Sequence, residues 1–146
     1  MQSNIWTATE NDFEQILHLI KEFAQFQKTP DRVSNTVQLM KQEQDSFNCL
    51  VAEVDGKIIG FATFFFCYYS WSGKSMYLDD LYVTDSYRGQ HIGTDLLLLI
   101  IEKAKAQNCK KVRWQVSNWN QKAIDFYKDF GADIGDIEIN CDLELT

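Results

Sequence analysis

The chain has 146 residues, a length typical of one domain with a sizeable core, and its hydrophobic content of 45% is typical of a folded protein. Its net charge of −7 argues against nucleic acid as the main partner, because neutralising phosphates requires a basic face. The acidic balance is compatible with a cationic substrate and equally with solubility alone. We therefore expect one domain over residues 1–146 and no nucleic-acid partner.

Four cysteines lie among apolar neighbours without the C-x-x-C spacing of a metal or redox site; they are Cys49, Cys67, Cys109 and Cys141. This pattern predicts buried free thiols in a reducing cytosol rather than a disulfide framework or a zinc site. The sequence shows neither a signal-peptide pattern at its start nor an apolar run of transmembrane length. We expect a cytoplasmic protein with no membrane partner.

The first third of the chain predicts a strand and two helices. Ser3–Ala8 is a short candidate strand, and Thr9 with Asp12 three residues later resembles a capping box. Apolar residues then recur at helical spacing as far as Gln27. A proline-containing turn ends this helix, and a second helix is expected over residues 34–44.

Three strands are predicted next. Phe47–Val54 has strand composition, Asp55-Gly56 favours a tight hairpin, and a return strand is expected from Lys57 to Cys67. Residues 68–74 form an aromatic segment that we predict to be a loop, whose rings would either line a pocket or cap the edge of the core. The strand Tyr77–Val83 follows and is expected to be buried.

A glycine-containing turn connects Tyr77–Val83 to a predicted helix over residues 92–107. A helix N-terminus presents unpaired N–H groups and the positive end of the helix dipole, so it attracts phosphate. Gly89 and Gly93 would allow close backbone approach, and Arg88 adds a positive charge. An ordinary strand-to-helix turn explains the same residues, and neither a P-loop nor a complete G-x-G-x-x-G motif is present.

The last part of the chain predicts a strand over Lys111–Val116, a short helix ended by Gly131, and one or two closing strands within Ile134–Leu145. The complete order is two helices, a three-stranded antiparallel meander, a crossover helix, a strand, a helix and a closing strand. This order predicts an α/β fold with a mixed sheet.

Two motifs in the correct order give the chain a resemblance to a known superfamily. The residues R-G-Q-H-I-G at Arg88–Gly93 are similar to the pyrophosphate-binding motif Q/R-x-x-G-x-G/A, with His91 where a glycine is usual. Asn120–Ala132 matches a second signature, N-x-x-A-x-x-F-Y-x-x-x-G-F/A. The chain thus resembles the GCN5-related N-acetyltransferases (GNAT superfamily) over essentially its whole length. The resemblance implies a mixed, mostly antiparallel twisted sheet of six to seven strands flanked by about four helices.

Within this superfamily the chain looks closest to the spermidine/spermine (diamine) and thialysine acetyltransferase group. The matching stretches are spread along the chain; they are Leu19–Glu22, Cys49–Glu53, Trp71–Lys74, Tyr77–Asp80 and Trp119-Asn120. The resemblance implies direct transfer of an acetyl group from acetyl-CoA to the primary amine of a small cationic acceptor, by a homodimer and without a metal. A protein or peptide amine acetyltransferase and a non-catalytic CoA-binding sensor remain alternatives.

The resemblance also assigns catalytic roles. An alkylamine with a pKa of about 10.4 is protonated at neutral pH, so the enzyme must remove a proton. Asp79 takes the position of the base, where the group usually has glutamate, and its shorter side chain would act through water. Strand alternation predicts that Asp79 and Asp80 point to opposite faces of the sheet. Backbone N–H near Leu81 would stabilise the oxyanion, and Tyr127 would protonate the CoA thiolate.

Two sets of binding residues are implied. The CoA site comprises the buried strand, the glycine-containing turn and the last helix: Leu81, Tyr82, Val83, Arg88, Gly89, Gln90, His91, Ile92, Gly93, Thr94, Asn120 and Tyr127. Asn120 is also explained as a helix N-cap alone. The acceptor site comprises Phe26, Gln27, Tyr69, Trp71, Asp79 and Asp80. Polyamine enzymes have acidic residues where Gln27 and Tyr69 stand, so a shorter diamine or a lysine-like amino acid fits better than spermidine or spermine.

Overall fold

The computed structural model of the protein describes residues 4–145. Contacts divide the chain into two compact units, Met1–Trp114 and Gln115–Thr146. The described part of the first unit holds a sheet, three α-helices and short 3-10 turns, and that of the second holds one α-helix.

The first unit is built on a five-stranded sheet in the order β1-β2-β3-β4-β5: β1 (Asn4–Thr7), β2 (Asn48–Val54), β3 (Lys57–Tyr69), β4 (Gly73–Val83) and β5 (Val112–Arg113). Neighbouring strands are antiparallel from β1 to β4, and β4 and β5 are parallel. The predicted mixed, mostly antiparallel sheet is confirmed, with five strands in the described residues instead of six to seven. The predicted strand at residues 3–8 is β1; Ser3 lies outside the described residues.

Turn chemistry explains two of the connections. Asp55 (φ 51°) and Gly56 (φ 80°) both take the left-handed conformation of a tight hairpin, which confirms the predicted turn between β2 and β3. The aromatic segment predicted to be a loop is mostly strand, since Tyr69 pairs with Gly73 and only residues 70–72 form the turn. Aromatic side chains favour extended backbone, so β3 and β4 continue further than predicted.

Three helices flank the sheet: α1 (Phe13–Phe26), α2 (Val37–Gln42) and α3 (Ile92–Ala106). Before α1, the Thr9 N–H donates to Asp12 Oδ2 over 2.9 Å, which confirms the predicted capping interaction. At the start of α2, the Leu39 N–H donates to Thr36 Oγ1 over 3.1 Å. Because Thr36 is an extended N-cap residue, α2 is shorter than the predicted helix over residues 34–44.

The helices lie on opposite faces of the sheet. The apolar side of α1 packs with Phe61, Tyr82 and residues of α2 and β2 in one buried cluster. The neighbouring position, Gly60, faces the other way: a Cβ there would lie 3.6 Å from Leu96 Cδ1 of α3. Alternate residues of β3 therefore contact α1 and α3, and the sheet forms the middle of three layers.

The second unit contains α4 (Gln121–Asp129). The Ala123 N–H donates to Asn120 Oδ1 over 3.2 Å at its start, and Gly131 (φ 89°) follows its end, as predicted. The predicted strands over Ile134–Leu145 are wrong: the described residues from 115 to 145 contain no strand, and the strand predicted over Lys111–Val116 is limited to β5. Alternating apolar residues indicate a strand only when a partner edge is present, and Ile137 is 85% exposed.

The four cysteines are free thiols in different environments. Cys49 is buried, Cys67 and Cys109 are half-buried, and Cys141 is exposed, so the expectation of uniformly buried thiols is wrong. Between residues 4 and 145, no cluster of three or more histidine, cysteine or acidic side chains is arranged to hold a metal ion. Within the same residues, no helix combines the length and apolarity needed to cross a membrane.

Candidate active site

A β-bulge in β4 determines where the paired aspartates lie. Thr63 of β3 pairs with Asp80, but the next residue, Phe64, pairs with Leu78, so Asp79 is an additional residue without a partner in the register. The Asp80 N–H donates to Thr63 Oγ1 over 3.2 Å. The bulge places two residues of β4 opposite Thr63 and interrupts the alternation of side chains along the strand.

Aromatic contacts on both sides of the bulge show its effect. The Tyr82 ring centre lies 6.4 Å from that of Phe61, and the Tyr77 ring stacks on Phe65 with centres 5.4 Å apart. Phe61 and Phe65 share one face of β3, so Tyr82 and Tyr77 share that face, although they are an odd number of positions apart in the chain. The alternation is therefore interrupted between Leu78 and Asp80; Asp80 lies on the face of Phe61 and Phe65, and the face of Asp79 is not determined by the register.

Burial and proximity change the acidity of both carboxyl groups. Burial raises the pKa of Asp79. Burial, together with the charge of Asp79, raises the pKa of Asp80 to about 7. A carboxylate with this pKa is a much better proton acceptor at neutral pH than an ordinary aspartate. The sequence prediction placed the base at Asp79 and gave Asp80 a substrate-binding role, whereas these acidities favour Asp80 as the proton acceptor.

The backbone of β4 is accessible along one edge after the bulge. The short strand β5 pairs only with Met76 and Tyr77, so from Leu78 to Val83 the edge of β4 away from β3 has no strand partner within the described residues. In an antiparallel pair, backbone N–H and C=O groups point alternately toward and away from the partner strand. The groups of this segment that point away from β3 have no strand partner among the described residues, and the binding of an extended ligand by Leu81 and Val83 remains a prediction.

The turn after β4 has the backbone geometry predicted for an anion site. Gly89 (φ 81°) and His91 (φ 65°) both take left-handed backbone, and α3 begins at Ile92. His91 therefore keeps the conformation that a glycine adopts without steric strain, and its exposed side chain makes no capping hydrogen bond. Histidine in place of the usual glycine therefore strains the turn but keeps the same backbone conformation.

The start of α3 has backbone N–H groups without a partner inside the helix. The first backbone bond of the helix runs from the Asp95 N–H to the His91 carbonyl oxygen, so the preceding N–H groups at residues 92–94 have no partner within the helix. A Cβ added at Gly89 would meet no atom within 4 Å, and one at Gly93 would come no closer than 3.9 Å to Val83 Cγ2. This open space lies beside a helix N-terminus, in the segment for which Arg88–Gly93 predicts pyrophosphate binding.

Arg88 is held against the end of β4. Its Nε donates to the Val83 carbonyl oxygen over 2.9 Å, and its Nη1 lies 3.2 Å from Asp85 Oδ1. Its guanidinium carbon lies 4.8 Å from the centre of the Phe26 ring and 5.3 Å from that of Tyr82. These contacts bring Phe26, predicted to bind the acceptor, together with a residue predicted to bind the cofactor.

Glu22 of α1 forms hydrogen bonds that connect the helix to the same end of β4. Its Oε2 accepts hydrogen bonds of 2.6 Å from both the Tyr82 hydroxyl and Thr84 Oγ1. Burial alone would raise the pKa of Glu22, but the hydrogen bonds from Thr84 and Tyr82, with the nearby charges of His18 and Arg88, lower it. Sequence reasoning did not assign Glu22 to the site, although it lies in a stretch that matches the thialysine acetyltransferase group.

The remaining predicted acceptor residues are not all brought together. Gln27 follows the last residue of α1, beside Phe26. Tyr69 and Trp71 lie at the turn between β3 and β4, six residues along β3 from Thr63, which corresponds to about 20 Å. Trp71 is completely exposed. The structure therefore gives Trp71 no contact with the aspartates.

Two cationic side chains contact the Tyr69 ring, and neither was predicted from the sequence to belong to the site. Lys111 Nζ lies 4.7 Å and Arg113 Cζ 4.5 Å from the centre of the Tyr69 ring. Alternation places these two residues on one face of the strand predicted over Lys111–Val116, but only the parallel pairing of β5 with β4 brings them to Tyr69.

Asn120 and Tyr127 belong to the second unit. The Asn120 side chain caps α4, as described above. This capping role explains Asn120 without a contact to CoA. Burial raises the pKa of Tyr127, and its ring contacts Phe126 with centres 5.4 Å apart. The hydroxyl is therefore protonated at neutral pH and is chemically suited to donate a proton.

Comparisons with known proteins agree with these observations. The model of the acetyltransferase (GNAT) family matches residues 12–132. The thialysine N-epsilon-acetyltransferase of Sus scrofa is 35% identical over 137 residues, which are 86% of this chain and 81% of that protein. The spermidine/spermine N(1)-acetyltransferase-like protein 1 of Homo sapiens is 37% identical over 136 residues, 86% of this chain but 20% of that protein.

The fold is also found in solved structures. An aminoglycoside acetyltransferase from an uncultured soil metagenomic sample superposes with a TM-score of 0.82 at 22% identity, covering 97% of each chain. At this identity the similarity establishes the fold, which is the α/β arrangement described above.

Proposed function

Because this chain belongs to the acetyltransferase (GNAT) family and is an N-acetyltransferase, we propose that it transfers the acetyl group of acetyl-CoA to the primary amine of a small acceptor. The observation that carries this proposal is Asp80 at the bulge in β4, where burial and the charge of the neighbouring Asp79 raise its pKa to about 7. The unpaired edge of the same strand and the glycine-containing turn that follows it would supply a site for the donor.

The donor is proposed to lie along β4 and at the start of α3. Backbone groups of Leu81 and Val83 would bind the extended arm, and the N–H groups of residues 92–94 would bind the pyrophosphate. Tyr82, Arg88, Gln90 and His91 complete the walls of this site in the proposal. When bound, acetyl-CoA supplies an activated thioester. A backbone N–H near Leu81, directed at the carbonyl oxygen, would stabilise the negative charge that develops there.

Two proton transfers are proposed, one from the acceptor amine and one to the leaving sulfur. An ammonium group with a pKa of about 10.4 must lose a proton before it can attack. Asp80, directly or through water, would accept that proton, while the charge of Asp79 would attract the cation and keep the pKa of Asp80 high. Tyr127, whose pKa is raised, would donate a proton to the leaving sulfur.

The acceptor is proposed to be a diamine or a lysine-like amino acid. The relatives named above act, by their names, on thialysine or are similar to spermidine/spermine acetyltransferases. A polyamine needs several carboxylates, whereas Gln27 and Tyr69 are neutral and Lys111 and Arg113 add positive charge near Tyr69. The resemblance to the diamine and thialysine group also leads us to propose a homodimer that acts in the cytoplasm.

The test is release of CoA from acetyl-CoA in the presence of putrescine, spermidine, thialysine, lysine and a peptide. We expect turnover with a short diamine or a lysine-like amino acid, and little with spermidine or the peptide. The double variant Asp79→Asn/Asp80→Asn should lose most of this turnover and still bind acetyl-CoA in calorimetry. Binding of acetyl-CoA without turnover of any amine by the wild-type protein would refute the proposal.

A further inference from the structure

Two cations lie on the face of the sheet that carries Asp80. Arg113 and Lys111 are exposed, and both contact the Tyr69 ring, as described above. Neither cation has a carboxylate partner among residues 4–145. The charge of the pair is therefore not neutralised within the described chain, although the whole protein has a net charge of −7.

The sheet register places the backbone of Arg113 at a defined separation from that of Asp80. Arg113 is the parallel partner of Tyr77, and Tyr77 pairs with Phe65, two residues along β3 from the position opposite Asp80. Two residues of strand correspond to about 7 Å, and the step from β4 to β5 adds about 5 Å sideways. The Arg113 side chain extends from this position toward Tyr69, so an acceptor that contacts both charged groups must be an extended molecule with a carboxylate at one end and an amine at the other.

Tyr77 lies between the two charged groups. Burial raises the pKa of its hydroxyl, the charges of the two aspartates raise it further, and Arg113 opposes this effect. The Tyr77 hydroxyl thus experiences the fields of both groups, and the register places Arg113, Tyr77 and Asp80 on the same face of the sheet. One end of this surface is negative, the other is positive, and the aromatic rings of Tyr77 and Phe65 lie between them.

We infer that Arg113, assisted by Lys111, binds the carboxylate of an amino-acid acceptor whose side-chain amine lies at the paired aspartates. This inference rests on the proposed function and specifies the acceptor class within it. A guanidinium group binds a carboxylate through two parallel hydrogen bonds, and the Tyr69 ring supports its plane. A diamine or polyamine would instead bring a second ammonium group to two like charges, so the site selects lysine-like amino acids over both.

The test compares acceptors that differ only at the carboxylate. S-(2-aminoethyl)cysteine and its amide are assayed with wild-type protein, Arg113→Gln and Arg113→Lys. Lys105→Gln, which removes an exposed charge at the end of α3, is the matched control. The readout is the ratio of kcat/KM for the acid to kcat/KM for the amide. Comparing this ratio between proteins cancels the difference in intrinsic reactivity of the two acceptors.

Wild-type protein should prefer the acid. Loss of a charge-assisted hydrogen-bonded pair corresponds to a ten- to hundred-fold effect, so Arg113→Gln should lower the ratio by about that factor. Arg113→Lys should retain part of the preference, and Lys105→Gln should retain all of it. Thermal unfolding and acetyl-CoA binding confirm that each variant is folded.

Three results would overturn the inference. The first is a wild-type ratio of one or less. The second is an equal effect of Arg113→Gln on both acceptors, which would indicate a structural role. The third is a wild-type protein that acetylates diamines but neither acceptor of the pair, which would leave the proposed acetyltransferase reaction intact and remove only the carboxylate subsite. Turnover of no amine at all would instead refute the proposed function together with this inference.

Discussion

Substitution of Asp80 by asparagine separates the cost of burying this carboxylate from its use in catalysis. The rise of the Asp80 pKa from 3.8 to about 7 corresponds to about 4 kcal/mol, at 1.36 kcal/mol for each tenfold change in acidity. Because the folded protein holds this proton more tightly than the unfolded chain, stability decreases as the pH rises from 3.8 to about 7 and is then constant. Below this range the carboxyl is neutral in both states.

The stability assay is urea denaturation of wild-type protein and Asp80→Asn at pH 4 and pH 8. Asparagine has the shape of a protonated aspartate, so we expect little difference at pH 4 and a gain of about 2 to 4 kcal/mol for the variant at pH 8. Asp129→Asn, at an exposed position at the end of α4, is the control and should show no such pH-dependent gain. A difference between wild type and Asp80→Asn that is the same at both pH values would refute the reasoning.

The kinetic assay uses the same variant. For the wild type, kcat/KM should increase with pH and level off near pH 7, because this profile reports ionisation of the free enzyme and Asp80 must be deprotonated to accept a proton. Asp80→Asn should lower kcat/KM by about a hundred-fold or more and lose this step in the profile. A variant that keeps both the step and the activity would show that another group is the base.

Further predictions concern the turn, its support and the second unit. His91→Gly should raise the free energy of unfolding by up to about 1 kcal/mol in urea denaturation, since glycine removes left-handed strain, and a loss of stability would contradict this. Glu22→Gln should destabilise the protein by about 1 to 3 kcal/mol at pH 7; because the Glu22 pKa is lowered, wild type should lose this advantage as the pH falls below 4.5, and an advantage kept at pH 3 would argue against it. Arg88→Ala should weaken acetyl-CoA binding about ten-fold in calorimetry, and an unchanged Kd would remove Arg88 from the pyrophosphate site. Tyr127→Phe should lower kcat by about a hundred-fold with little change in acetyl-CoA affinity, and unchanged turnover would show that Tyr127 is not the acid.

Local chemistry made several features predictable from the sequence. Asp55-Gly56 gives a hairpin because both residues tolerate left-handed backbone, and Asp12 marks the start of α1 because its carboxylate accepts the Thr9 N–H. The start of α3 followed from a glycine-containing turn before an apolar run. In each case neighbouring residues alone determine the conformation.

Features that depend on partners distant in the chain were not predictable in this way. The bulge at Asp79 arises from the register between β3 and β4, and no residue in the strand marks it, so simple alternation does not describe this part of β4. Arg113 became part of the site only through the pairing of β5 with β4. The predicted strands after residue 133 failed for the same reason, since an alternating apolar pattern does not specify an edge to pair with.

The most direct test of the central claim is mass spectrometry of the acceptor after incubation with acetyl-CoA and either wild-type protein or the Asp79→Asn/Asp80→Asn variant. We predict that wild type converts S-(2-aminoethyl)cysteine to a product carrying one acetyl group on its side-chain amine, at a rate that matches CoA release. The variant should form this product at least a hundred-fold more slowly while it still binds acetyl-CoA. Equal rates for the two proteins would contradict the assignment of the paired aspartates as the centre of the reaction.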